Sequence, residues 1–273
     1  QNRRGFVPLI ECITCGWVPK CKQCDVTMTY HKAAGRLRCH YCGYSIQPPT
    51  ACAACGDTKL KTMGFGTEKI EEDLAVYFPK ARISRMDLDT TRSKYSYQKI
   101  IQDFEDSNTD ILVGTQMVTK GLDFDNVALV GILNADSLMS HPDFRSYERS
   151  FQLMAQVSGR AGRKNKRGKV IVQTYSIKHP VIQYVLGNDF MSMYTSQLEE
   201  RENFQYPPFY RIVKIMLKDK NVDILNEAAE YFTNRLKVIF GSRVLGPEFP
   251  FVSRIKNMYI KNVLLKVEKS AAF

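Results

Sequence analysis

The sequence predicts an α/β fold with two additions, a cysteine-rich insertion near its start and a small α+β domain at its end. Between residues 67 and 174, apolar segments with helical spacing alternate with short β-branched runs. All eight cysteines fall between Cys12 and Cys55. From Lys178 onward, helical segments are followed by strands that carry basic residues.

The composition is that of a globular protein whose charge favours a polyanionic partner. The chain has 273 residues, of which 44% are hydrophobic and 25% charged. Its net charge is +11, which favours nucleic acid. Basic residues cluster in Lys164–Lys169 and Arg254–Lys261, which argues against an evenly basic surface. No apolar run could cross a bilayer and no signal peptide opens the chain. Because the sequence does not begin with Met, we expect an excised piece of a longer protein, with a mature N-terminus as the weaker alternative.

The cysteines form the strongest pattern in the sequence. After a strand predicted at Phe6–Ile10, they occur as four CxxC pairs, namely Cys12/Cys15, Cys21/Cys24, Cys39/Cys42 and Cys52/Cys55. Two thiolates at this spacing can bind one side of a tetrahedral Zn²⁺, and two pairs complete a four-cysteine site. The sequence therefore predicts two structural zinc ions with no open coordination position. Disulfides are disfavoured because secretory features are absent, and a redox CxxC usually stands alone.

The lengths of the loops between the pairs favour a nested arrangement. Five residues separate the first pair from the second, which is short for two knuckles that must face each other. Fourteen residues separate the second pair from the third, enough for a hairpin. We therefore expect the second and third pairs to share one ion and the first and fourth pairs to share the other. Sequential pairing is the alternative. Gly16, Gly43 and Gly56 follow three of the pairs, where the turn around the metal needs a permissive backbone.

The middle of the chain predicts a parallel sheet with helices on its faces. Helices are expected at 68–78, 95–107 and 145–158, the first capped by Thr67, and strands at 81–86, 110–115, 127–133 and 170–174. This alternation predicts a doubly wound, mostly parallel sheet. Active loops should then lie at the carboxyl ends of the strands, as residues 115–123 and 134–136 do.

One stretch of this region, Ile111–Arg163, has the features of a phosphate site. Its first loop leaves a predicted buried strand, and its last segment carries Arg160 and Arg163. Arginines three residues apart lie on one face of a helix. There they can donate paired hydrogen bonds to phosphate oxygens. We interpret this stretch as half of a nucleotide-driven motor site.

The end of the chain predicts a small α+β sandwich. Helical segments are expected over 180–203, a strand at 211–218, a helix at 222–240, a turn at Gly246-Pro247, and a basic hairpin of 251–255 and 259–267 about Asn257. No second helix follows to cover the sheet, so we expect this domain to be truncated.

The motifs along the chain resemble those of the PriA family of primosomal replication-restart DNA helicases, from the second motor lobe of those proteins onward. The resemblance covers essentially the whole chain and rests on NRRGF, the eight-cysteine module after it, GTEKIEEDL, RMDLDTTR, GTQMVTKGLDFDNVALVGILNAD, PDFRSYERSFQLMAQVSGRAGR, YPPFYRIV and VLGPEFP. It implies that residues 1–10 begin helicase lobe 2, 11–57 form a two-zinc insertion, 58–178 complete a RecA-like lobe, and 179–273 form a C-terminal domain for DNA and partners.

The resemblance also implies roles for individual residues. Gly121 and Asp123 would line the nucleotide cleft. Gln156, Arg160 and Arg163 would face the triphosphate, with Arg163, and as a second candidate Arg160, as an arginine finger that stabilises charge on the transferred phosphoryl group. Candidate DNA contacts are Thr115, Gln116 and Lys120, followed in the hairpin by Arg254, Lys256 and Lys261. For the hairpin residues, a solvated surface is an equal alternative.

The implied function is that of a bacterial cytoplasmic, nucleoid-associated enzyme. It would be an ATP-dependent 3′-to-5′ DNA helicase that binds branched or forked DNA, with single-strand-binding protein and primosome proteins as partners and no membrane association. ATP and Mg²⁺ would bind between two lobes, but this sequence has neither GxxxxGK[ST] nor an Asp-Glu-x-His box. We therefore expect the chain alone to lack ATPase activity. The alternative is a non-enzymatic zinc-ribbon adaptor with a degenerate motor lobe, against which the retained Gln156, Arg160 and Arg163 argue.

Overall fold

The structure is a computed structural model that describes residues 9–31, 34–63, 66–87, 90–91, 93–115, 118, 124, 127–159, 161 and 168–269. The chain forms two compact units, one of Gln1–Ile100, Thr109–Thr115 and Val213–Leu265, the other of Ile101–Asn108, Gln116–Ile212 and Lys266–Phe273. Among the helices within the described ranges, none combines the length and the apolar character needed to cross a membrane.

The elements include those expected from the sequence between 67 and 174, together with strands at Leu60–Met63 and Val244–Glu248 and a helix at Asp136–Met139, which were not predicted. The strands are β1 (Leu9–Cys12), β2 (Thr29–His31), β3 (Arg36–Arg38), β4 (Ser45–Ile46), β5 (Leu60–Met63), β6 (Ile83–Met86), β7 (Ile111–Gly114), β8 (Leu129–Ile132), β9 (Lys169–Val172), β10 (Tyr210–Asp219), β11 (Val244–Glu248), β12 (Arg254–Ile255) and β13 (Met258–Glu268). The helices are α1 (Thr67–Tyr77), α2 (Lys94–Glu105), α3 (Asp136–Met139), α4 (Ser146–Ser158), α5 (Pro180–Leu186), α6 (Phe190–Asn203) and α7 (Val222–Phe240).

The cysteine-rich segment is closed at its base by the pairing of its two ends. Strands β1 and β5 run antiparallel, with Leu9 opposite Met63 and Cys12 opposite Leu60. Between them, β2, β3 and β4 form a small antiparallel sheet. Met28 and Leu37 are fully buried in its core. The two ends of the cysteine-rich segment therefore lie side by side.

The first unit also contains a parallel strand pair, as the sequence predicted. Strand β6 pairs with β7 in parallel, with Ile83 opposite Ile111. Arg82 and Asp110 join the starts of these strands through an ion pair of 2.7 Å between Nη2 and Oδ1. The guanidinium lowers the pKa of Asp110 to about 2. Thr67 does not cap α1 as expected, because its hydroxyl donates to Asp87 (2.5 Å) and Gly66 occupies the capping position.

The second unit contains another parallel pair, formed by β8 and β9. Within the described residues, each parallel pair is a two-stranded sheet by itself, so the single doubly wound sheet expected from the sequence is not seen there. The core of this unit lies between α3, α4, α5 and α6 and is built around Phe151 and Met154 of α4, which are 4% and 1% exposed. The helix expected at 145–158 is thereby confirmed, and its apolar side lies in this core. The helical region predicted over 180–203 is divided into α5 and α6.

The C-terminal sheet has the strand order β10, β13, β11, with β12 paired to β13. Helix α7 has the predicted bounds and packs against β11. The turn predicted at Gly246-Pro247 is wrong, because both residues lie in β11. Gly246 has a φ of 101°, and a Cβ there would lie 2.8 Å from the Asn262 carbonyl oxygen of β13. The glycine permits this close approach of two strands.

Truncation of a core side chain of α4 tests the packing of the second unit. We expect Met154→Ala to lower the free energy of unfolding by about 2 to 5 kcal/mol, because it leaves a cavity in a closed core. Gln152→Ala, on the exposed face of the same helix, should change it by about 0.5 kcal/mol or less. Urea unfolding followed by circular dichroism measures both, and equal losses in the two variants would contradict this core assignment.

Candidate metal centres and phosphate-facing residues

The first cysteine cluster joins the first and fourth CxxC pairs. Cys12 Sγ lies 3.6 Å from Cys55 Sγ, and Cys15 Sγ lies 3.5 Å from Cys52 Sγ. Beside it, the carboxylate of Asp57 accepts hydrogen bonds from the Thr14 hydroxyl and from the Lys59 N–H. The bond from Thr14 joins the loops that carry the two pairs. Because Cys15 and Cys55 are exposed, one side of this cluster faces solvent.

The second cluster joins the second and third pairs and lies deeper. Cys21 Sγ is 3.5 Å from Cys42 Sγ. Cys21, Cys24 and Cys39 are at most 4% exposed and form part of the core that contains Met28 and Leu37. The nested pairing expected from the loop lengths is therefore confirmed, and sequential pairing is excluded for these eight residues.

Both clusters fit a tetrahedral zinc ion. Within each cluster all four Sγ atoms lie within 4.8 Å of one another. A Zn–S bond of about 2.3 Å requires Sγ–Sγ separations of about 3.8 Å, close to the short distances observed. Four thiolates leave no position for substrate, so the sites are structural. Burial raises the pKa of the Cys21 thiol to about 12, so metal binding at this cluster has to displace protons.

Three of the four cysteine knuckles close in the same way. Gly16, Gly43 and Gly56 follow the second cysteine of their pairs and have φ values of 71°, 80° and 78°. The N–H of each donates to the carbonyl oxygen of the first cysteine of its pair at 2.9 Å. Asp25 occupies the equivalent position in the second knuckle, and its N–H instead donates to the carbonyl oxygen of Arg254.

The motor residues expected from the sequence are only partly within the described structure. Thr115 follows β7 and is half-buried, and its N–H donates to the Met86 carbonyl oxygen at 3.4 Å. Gln156 is exposed on the last turn of α4. The remaining candidates, Gln116, Lys120, Gly121, Asp123, Arg160 and Arg163, lie outside the described residues. Because α4 ends at Ser158, the argument that both arginines share a helix face is not confirmed.

The basic candidates near the chain end lie in distinct environments. Arg254 is paired with Asp25, with 3.0 Å between Nη2 and Oδ1. Lys261 is 8% exposed, and its Nζ lies 4.9 Å from the centre of the Phe249 ring. Lys256 is exposed. The structure brings Arg254 and Lys256 to the second cysteine cluster, while Lys261 is buried within the sheet.

Two carboxylates at strand ends, Asp87 and Asp136, have structural roles that were not predicted, although Asp136 lies in the loop 134–136 expected at a strand end. Asp87 is 2% exposed and accepts hydrogen bonds from the Thr67 hydroxyl and the Thr90 N–H. Asp136 accepts from the Tyr175 N–H and the Thr174 hydroxyl, both at 2.9 Å, and the Tyr175 bond in particular lowers its pKa. Both carboxylates brace loops that leave the carboxyl ends of strands. The sequence signal that could have indicated these two carboxylates is the polar residues that directly follow the predicted strands 81–86 and 127–133.

Comparison with protein families assigns the class to which these features belong. A family described as the PriA DNA helicase Cys-rich region (CRR) domain matches residues 21–46. The helicase conserved C-terminal domain matches residues 59–165. Fold and sites together define a C-terminal helicase domain that carries a metal-binding cysteine-rich region.

Individual relatives narrow the class to one family. The chain is 41% identical over 270 residues to the replication restart protein PriA of Bacillus subtilis, covering 98% of this chain and 34% of that protein. It is 40% identical over 268 residues to PriA of Treponema pallidum, covering 97% and 40%. With PriA of Haemophilus influenzae, the identity is 38% over 269 residues, covering 97% and 37%. The chain belongs to the PriA family and spans between 34% and 40% of the length of these relatives.

Metal content tests the assignment of the cysteines. We expect two zinc ions per chain, and we expect Cys52→Ser to lose one of them because three thiolates bind zinc far more weakly than four. Thr58→Ala, a nearby substitution that touches no ligand, should keep both. Elemental analysis of the desalted protein measures the ratio, and a value of one or fewer in the unmodified chain would refute the assignment.

Proposed function

We propose that the chain is the second motor lobe, zinc-bearing insertion and C-terminal domain of an ATP-dependent 3′-to-5′ DNA helicase that restarts replication at branched DNA. One observation carries this proposal most directly. Two complete four-cysteine clusters occur in one chain with a helicase C-terminal domain, and the ends of the cysteine-rich segment pair at its base. We divide the chain into residues 1–10, 11–57, 58–178 and 179–273, with the roles given above.

The contribution of this chain to ATP turnover would be positive charge at the phosphates. Phosphoryl transfer spreads negative charge over the γ-phosphate, and a planar guanidinium stabilises it. We assign this role to Arg163, assisted by Arg160 and Gln156, with Gly121 and Asp123 lining the cleft. ATP and Mg²⁺ would bind only together with a first lobe that carries the Walker A motif.

Helix α4, which carries Gln156, is held in place by packing and by an ion pair. Phe151 and Met154 bury its inner face in the core of the second unit. Glu148 of the same helix pairs with Arg201 of α6, and both side chains are less than one-fifth exposed. Arg201 also lies 5.3 Å from the centre of the Phe144 ring, which stacks on Tyr206 at 4.8 Å. A rigid helix would keep Gln156 in a fixed position during turnover.

DNA would be bound through its backbone, in line with the net charge of +11. We assign Thr115, Gln116 and Lys120 to contacts near the motor site. Of the hairpin candidates, Lys256 has the exposed side chain, whereas Arg254 and Lys261 have partners within the fold. Single-strand-binding protein and primosome proteins are the partners that we propose for the insertion and the C-terminal domain.

Loss of the proposed arginine finger tests the function. In a full-length protein that carries this chain, we expect Arg163→Ala to lower the DNA-stimulated ATPase rate by about 10³-fold or more while binding to forked DNA is largely kept. Arg149→Ala, which removes an exposed arginine from α4, should leave the rate within a few-fold. Steady-state ATP hydrolysis and fluorescence anisotropy measure the two properties.

The isolated chain provides the complementary measurement. We expect no DNA-stimulated ATP hydrolysis above the buffer rate, because this sequence has no Walker A lysine to bind the phosphates. Robust hydrolysis by the isolated chain would contradict the proposed division between two lobes. An unchanged rate in the full-length Arg163→Ala protein would refute the role of Arg163 as an arginine finger. Absence of DNA-stimulated hydrolysis in the unmodified full-length protein would favour the zinc-ribbon adaptor instead.

A further inference from the structure

A hairpin from the C-terminal sheet contacts the second cysteine cluster directly. Its tip, Lys256-Asn257, joins β12 to β13 with φ values of 52° and 61°. The Lys256 N–H donates to Cys24 Sγ at 3.3 Å, and the two residues are 232 positions apart. The Asn257 N–H donates to the Gln23 carbonyl oxygen at 2.8 Å. A segment remote in sequence thus supplies a donor to a metal ligand.

Side chains strengthen this contact through Asp25. Its carboxylate accepts from the Ser253 hydroxyl at 2.7 Å and from Arg254 Nε at 3.1 Å. Ile255, between these polar contacts, packs against the core of the cysteine-rich segment. Three kinds of interaction therefore converge on one knuckle, namely backbone hydrogen bonds, an ion pair and apolar packing.

The second knuckle differs from the others at the position where the hairpin acts. In the other three knuckles a glycine with positive φ closes the turn by donating to the first cysteine of its pair. Asp25 has no such conformation, because a residue with a side chain rarely adopts it, and its N–H bonds to the Arg254 carbonyl oxygen at 2.9 Å. In the second knuckle the hydrogen-bond acceptor is therefore a carbonyl oxygen of the hairpin, whereas in the other three knuckles it is the carbonyl oxygen of the first cysteine of the pair.

We propose that residues 253–257 complete the second zinc site, so that metal retention at this site and docking of the C-terminal hairpin are one coupled equilibrium. An N–H donor to a thiolate stabilises its charged, metal-binding form, and outer-shell partners of this kind orient the ligand. Coupling is reciprocal, so the bound ion also stabilises the hairpin on the knuckle. The first cluster, whose two knuckles close through Gly16 and Gly56, is independent of the hairpin. This proposal does not depend on motor activity.

Chelation kinetics on the zinc-loaded chain test whether docking of the hairpin slows the release of zinc from the second cluster. Alkylation of released thiols followed by mass mapping distinguishes the two clusters. In Asp25→Ala, we expect Cys21, Cys24, Cys39 and Cys42 to be released about 10-fold or more faster, since loss of an outer-shell partner typically costs 10- to 100-fold in metal affinity. The first cluster should keep its rate. Asp57→Ala, which removes the corresponding carboxylate beside the first cluster, should leave the rate of the second unchanged.

Two results would overturn the proposal. One is an unchanged release rate in Asp25→Ala. The other is equal acceleration at both clusters, which indicates general destabilisation.

A glycine substitution separates the roles of the turn and the hairpin. We expect Asp25→Gly to release zinc more slowly than Asp25→Ala, because glycine can close the turn as Gly16, Gly43 and Gly56 do. Release should still be faster than from the unmodified chain, because glycine has no carboxylate to hold the hairpin. The amides of Lys256 and Asn257 should nevertheless exchange with solvent faster than in the unmodified chain. Release from Asp25→Gly as fast as from Asp25→Ala would overturn the idea that the hairpin replaces a missing turn. Slow amide exchange of Lys256 and Asn257 in both variants would overturn the proposal that Asp25 holds the hairpin on the second knuckle.

Discussion

Four thiolates from two distant knuckles must meet around one ion, and the fold of the cysteine-rich segment depends on that constraint. The first cluster joins residues that lie 43 and 37 positions apart, so the chain has to return to its starting point. Strands β1 and β5 pair as a consequence, and the second cluster is enclosed within the loop. The small core around Met28 and Leu37 could hardly be stable alone, because segments of this size need a metal or other cross-link.

The two clusters differ in how they are supported. Cys15 and Cys55 are exposed, and the two loops around the first cluster are joined to each other by the bond between Thr14 and Asp57. The second cluster is buried and bonded to a hairpin from the far end of the chain. The second metal site would therefore stabilise the C-terminal hairpin as well as its own loop. Within the proposed helicase, it would make the cysteine-rich insertion a fixed support for the C-terminal sheet.

Local patterns predicted much of the fold. Periodicity gave α7 with its observed bounds, and loop lengths gave the nested cysteine pairing, because both depend on residues that are near in sequence. The errors arose where distant residues decide the local structure. Gly246-Pro247 has turn chemistry but lies in a strand, since β13 approaches it closely. Thr67 has capping chemistry but bonds to Asp87, 20 positions away. The docking of the hairpin on Cys24 had no local signal beyond the missing glycine at Asp25.

The pairing of the cysteines is the central claim, and cadmium-113 NMR tests it most directly. In the ¹¹³Cd-substituted chain, each metal resonance correlates with the β-protons of its own four cysteines. The structure predicts one resonance coupled to Cys12, Cys15, Cys52 and Cys55 and a second coupled to Cys21, Cys24, Cys39 and Cys42. A resonance that correlates with both the Cys12/Cys15 and the Cys21/Cys24 pairs would contradict the nested arrangement and, with it, the placement of the hairpin.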